Sequence, residues 1–157
     1  MSNFTKLFVS IFYIGYIKIA PGTWGSLASI IMMYIFFNIL SLSLVTLVLI
    51  FFILFFVSNY LINYFSSFTN SHDSKNVVID ELLGIFLIFL FYEYINIYND
   101  FVTCVLIFLI FRLFDISKIF PASYFDKKLH NGYGVILDDI IAGLYTVLTM
   151  IILNAFI

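Results

Sequence analysis

The chain has 157 residues and a net charge of −2, and is 64% hydrophobic, 21% aromatic and only 10% charged. With a mean hydropathy of +1.14, against about 25% charged residues in ordinary soluble domains, it excludes a water-soluble body and requires lipid as solvent for much of its surface. The acidic balance argues against a nucleic-acid partner, which needs a basic patch. The single cysteine, Cys104, excludes an internal disulfide or a cysteine-based zinc site and reads as a small buried hydrophobe.

In chain order, residues 2–14 form an apolar piece with Lys6, expected to lie on the membrane as an interfacial helix. Lys6 followed by "LFVSIFYIGYI" imitates a signal peptide, but "KIAPG" is a poor cleavage site, so no cleavage is expected. After the turn-rich "APGTWGS", segment 26–40 reads as a helix, with a break over 38–43. Segment 44–65 is the clearest span. Segment 82–98 is apolar but holds Glu93, and 101–114 is short unless it continues to Lys118. Segment 139–157 closes the chain. A span needs about 20 residues. The reading is therefore all-α: a polytopic membrane helical bundle of about five transmembrane or membrane-embedded helices plus the interfacial one, in a single domain over 1–157.

Five crossings place every basic residue on one side: Lys6, Lys18, Lys75, Arg112, Lys118, Lys127 and Lys128. The positive-inside rule makes that side cytoplasmic. It also carries nearly every polar motif. Thr23 and Ser26 of "APGTWGS" can cap the following helix, or its free N–H groups can cradle an anion. Asp80 and Glu81 open the third span in "VVIDELLG", where Gly84 permits close helix packing. His72 and Asp73 read as a solvated loop within reach of the same place.

In "FRLFDISK", Arg112, Asp115 and Lys118 recur every three residues, which suits a helical ion-pair ladder as well as a site. "YFDKK" reads as an interfacial anchor, with Lys127 and Lys128 meeting anionic head groups. "HNGYG" reads as a turn, and His130 as a surface histidine. Asp138 and Asp139 open the last span in "GVILDDIIAG"; neighbours on a helix point about 100° apart, so the two cannot serve one partner alike. Gly143 lies four residues after Asp139, on the same face. Oxygen ligands without cysteine favour a hard cation such as Mg2+. With basic residues beside them, the parts suit phosphoryl chemistry.

The succession "APGTWGS", "HD…VVIDELLG", "FRLFDISK", "FDKKLHNGYGVILDDIIAG" resembles the bacterial phosphatidylglycerophosphatase A family, in order from about Gly15 to Gly143. The resemblance implies a Mg2+-dependent phosphatase of the bacterial inner membrane, facing the cytoplasm. It would convert phosphatidylglycerophosphate to phosphatidylglycerol and phosphate, the last step in making that lipid. It carries over Asp80, Glu81 and Asp138 as metal ligands and Asp115, Lys118, Arg112 and Asp139 as catalytic groups. Thr23, Ser26 and Lys118 would bind the substrate phosphate. Attack by a metal-activated water and attack by an aspartate to give an acyl-phosphate both fit. Ile119 and Lys18 stand where the family tends to have proline, which bears on local backbone shape. The competing reading is a small proton- or ion-coupled transporter; it would place acids mid-span or on both sides, whereas here the motif acids cluster on one.

Overall fold

The computed structural model describes residues 3–40, 42–65 and 76–156. Every regular element among them is helical: α1 Asn3–Val9, a short 3-10 turn Ile14–Tyr16, α2 Pro21–Leu40, α3 Leu44–Phe65, α4 Ile79–Phe89, α5 Tyr92–Ile95, α6 Asp100–Ser117, α7 Ala122–Lys128 and α8 Gly132–Phe156. The expectation for His72, Asp73 and Lys75 falls outside the described residues.

At the centre stands α4. Ten of its eleven residues are buried, as suits a helix that is apolar nearly all round. It packs mainly against α8 and α2, and α8 also carries α6 and α7. The α4–α8 crossing is close because Gly84 and Gly143 meet there. A Cβ on Gly84 would fall 2.7 Å from the Asp139 carbonyl oxygen, and one on Gly143 would fall 2.6 Å from the Gly84 carbonyl oxygen. Around this core, Phe56, Phe101, Leu113 and Phe156 are more than half exposed. Such a surface needs lipid.

Successive long helices alternate in direction, and contacts at both ends of the bundle show it. At one end, Gly132 N–H donates to Asn63 Oδ1 at 2.7 Å, tying the end of α3 to the start of α8. Lys118 after α6 reaches Asp138 of α8 there, and Val78 N–H donates to Val9 O at 2.9 Å. At the other end, Tyr34 of α2 donates to Asp100 of α6 at 3.0 Å, and Asn154 of α8 donates to Tyr94 O at 3.0 Å.

Three helices among the described residues are long and apolar enough to cross a membrane: Pro21–Leu40, Leu44–Phe65 and Gly132–Phe156. The expected count of about five is thus not reached by single continuous helices. The 82–98 stretch divides into α4 and α5, and eleven residues rise only about 16 Å. α6 has 18 residues but includes Asp100, Arg112 and Asp115.

Boundaries move elsewhere too. α2 starts at Pro21, a favoured first helical position, so Thr23 and Ser26 lie inside the helix rather than capping it. Ser26 Oγ instead donates back to Gly22 O at 2.8 Å. α8 starts at Gly132, because Asn131 Oδ1 accepts the Gly134 N–H at 3.1 Å and caps the helix. "HNGYG" is therefore a helix start, and Asp138 and Asp139 sit about two turns inside. The N-terminal helix covers Asn3–Val9, shorter than 2–14, since Ile11, Phe12 and Tyr13 take positive φ and turn the chain.

Candidate phosphatase site

The polar motifs converge where α2, α4 and α8 begin and α6 ends. Asp80 and Glu81 occupy the first turn of α4; Asp139 faces them from α8 across the glycine crossing. Carboxylate oxygens of Asp80, Glu81 and Asp139 lie within 4.8 Å of one another, and all three residues are buried. Among the described residues, Asp80 Oδ1 and Glu81 Oε2 have no hydrogen-bond partner. Three crowded acids repel, and a buried carboxylate without a partner is strongly unfavourable. A hard cation satisfies both demands with this oxygen-only set. The residues therefore fit a divalent metal.

The first turn of α2 lies against this cluster. A Cβ on Gly22 would come 2.5 Å from Glu81 Oε1, and one on Gly25 would meet Val78 at 2.8 Å and Glu81 Oε2 at 3.5 Å. Only glycine lets the helix start sit there. Thr23 is half-buried on the same turn, and its N–H donates to Ala20 O at 3.0 Å.

Arg112 of α6 ties the parts together. Its Nη1 donates to Ser26 Oγ at 3.3 Å, pairs with Asp115 one turn on, and stands 3.9 Å from Glu81 Oε1. The three-residue spacing thus does form an intrahelical ion pair, and the same guanidinium reaches two other helices. Lys118 ends α6 in the left-handed conformation, φ 43°, which turns the chain and aims Nζ at Asp138 Oδ2, 2.8 Å away.

The adjacent aspartates therefore divide. Asp139 joins Asp80 and Glu81, while Asp138 pairs with Lys118. The sequence reading grouped Asp138 with the metal ligands and Asp139 with the catalytic groups; in the structure it is Asp139 that lies among the buried acids and Asp138 that lies against Lys118. Gly22 and Gly25 were missed as site walls, although their three-residue spacing already put both on one helix face. Lys127, Lys128 and His130 are exposed. Cys104, expected buried, is half-buried on the α2–α6 side.

A helical bundle with three buried acids, an arginine and a lysine gathered at one end has the parts that phosphate-monoester chemistry uses. The family model described as phosphatidylglycerophosphatase A matches residues 7–154, and the chain belongs to that family. It is 38% identical over 142 residues to phosphatidylglycerophosphatase A of Haemophilus influenzae, covering 87% of this chain and 80% of that one. To phosphatidylglycerophosphatase A of Escherichia coli it is 34% identical over 143 residues, covering 91% and 79%. No solved structure matches.

Proposed function

We propose that this chain hydrolyses the terminal phosphate monoester of phosphatidylglycerophosphate, with Mg2+ as cofactor, giving phosphatidylglycerol and inorganic phosphate as the last step of that lipid's synthesis. The observation that carries the reading is the buried Asp80–Glu81–Asp139 cluster, with its partnerless oxygens beside Arg112. Those three acids would hold the cation, which when bound would draw charge from the phosphate oxygens.

The chain's own residues divide the remaining work. Arg112 is held by Asp115 and Ser26, so its guanidinium is oriented before substrate arrives, and its fork matches a phosphate. Ser26 and Thr23 lie on the α2 turn at the phosphate end. Lys118, about a third exposed, supplies a second positive charge and is oriented by Asp138. Both cations balance the charge that develops on the oxygens as the P–O bond breaks.

The same end of the bundle carries Lys6, Lys18, Arg112, Lys118, Lys127 and Lys128, whereas the far end holds Glu93 and Asp100. This asymmetry supports a cytoplasmic site in the bacterial inner membrane. The test is phosphate release by the purified chain in mixed micelles, with Mg2+ and with EDTA, against phosphatidate as control. Mg2+-dependent release from phosphatidylglycerophosphate is expected. Its absence, or equal release with EDTA, overturns the proposal.

A further inference from the structure

α2 and α6 run antiparallel and are tied at two points. Arg112 joins Ser26 at the site end; Asp100 joins Tyr34 at the other. Between Ser26 and Tyr34, α2 rises about 12 Å. Over that length Leu27, Ile30 and Ile31 of α2 face Cys104, Val105 and Phe108 of α6 across an apolar groove of about 480 Å3.

We propose that this groove holds one acyl chain of the lipid whose phosphate docks at Arg112. The inference rests on the phosphatase reading above. Continuity with the site carries it. Leu27 follows Ser26 directly, and Phe108 lies one helical turn before Arg112. On α6 the groove therefore opens about one helical turn from the guanidinium. The groove's polar pair, Tyr34 and Asp100, is engaged with itself, so the lining favours a hydrocarbon chain. A second apolar groove of about 280 Å3 lies across α2, lined by residues such as Leu7, Met33 and Ile50. Its lining includes no residue of α6, the helix that carries Arg112, so it does not continue from the guanidinium.

The test uses the full chain in phosphatidylcholine nanodiscs with EDTA present. A trace of phosphatidylglycerophosphate carrying a mid-chain diazirine is compared with phosphatidylcholine carrying the same chain, and the labelled residues are mapped by mass spectrometry. The phosphomonoester should label Ile31, Cys104 and Val105 severalfold more than phosphatidylcholine does, and Val105→Trp should remove the excess. Equal labelling by the two lipids, or an excess at Met33 and Ile50 instead, overturns the assignment. In turnover, Val105→Trp should raise KM for the long-chain lipid about tenfold more than for its dihexanoyl analogue; an equal change for both overturns it. Specific labelling without hydrolysis in Mg2+ would refute the phosphatase reading and leave the groove assigned. Hydrolysis without preferential labelling refutes the groove alone.

Discussion

Gly84→Ala tests whether the α4–α8 crossing sets the site. The added methyl carbon would lie 2.7 Å from the Asp139 carbonyl oxygen and 2.8 Å from the Phe111 ring. An ordinary carbon–oxygen contact is about 3.3–3.6 Å, so the helices must part by roughly 0.6–0.9 Å. Phe111 is fully buried and gives little room on the other side. Overpacking of this kind costs about 1–3 kcal/mol, which leaves a folded but less stable bundle. The same displacement carries Asp139 away from Asp80 and Glu81, and a misplacement near 1 Å costs about 100-fold in rate. The assay pairs thermal unfolding with phosphate release from phosphatidylglycerophosphate. Lower stability with a kcat loss of about 10- to 100-fold is expected. Wild-type kcat and stability together would refute the reasoning. Gly143→Ala strains the same contact from the other side, so the two effects should not add.

Further expectations concern the charged groups. Arg112→Lys keeps the charge but not the fork that reaches Ser26 and Asp115; kcat/KM should fall at least about tenfold, as steady-state kinetics will show. Lys118→Met removes the ammonium 2.8 Å from buried Asp138 and should lower stability by about 1–2 kcal/mol in thermal unfolding, less than for a fully buried pair because Lys118 is partly exposed. Adding Asp138→Asn should restore stability but not activity. Glu81→Gln removes one of three crowded acids, so it should raise the unfolding temperature in EDTA while abolishing turnover. On the proposed Mg2+ site, the wild type should gain stability from Mg2+ by mass action and Glu81→Gln should not.

Several features were legible in the residues because they depend on local geometry. Segment 44–65 coincides with α3, since an uninterrupted apolar run defines its own ends. The division of Asp138 and Asp139 between two neighbours followed from the 100° turn per residue, and the close packing at Gly84 and Gly143 from their size. Which aspartate faced which partner was not legible, because that depends on how α8 is rotated against α4 and α6. Helix starts misled where a residue has two uses. Asn131 and Gly132 suggest a turn yet form a cap and first helical residue, and Pro21 suggests a turn yet opens α2. The 82–98 run was read as one apolar segment holding Glu93, because hydropathy does not register the break that separates α4 from α5. The role of Arg112 in joining three helices is a tertiary fact, of which the i,i+3 spacing shows only the pair with Asp115. The transporter alternative expected acids near mid-span or on both sides; the motif acids gather at one end, and Asp100, at the other, belongs to no motif and is held by Tyr34, Tyr92 and Asn96.

The most direct test of the central claim is phosphate release measured against Mg2+ concentration in Asp138→Asn and Asp139→Asn. Because Asp139 lies with Asp80 and Glu81 while Asp138 lies with Lys118, Asp139→Asn should lose the Mg2+ response or require far more metal. Asp138→Asn should lower kcat at a nearly unchanged half-saturating Mg2+ concentration. The reverse pattern, with the metal requirement following Asp138, would contradict the account.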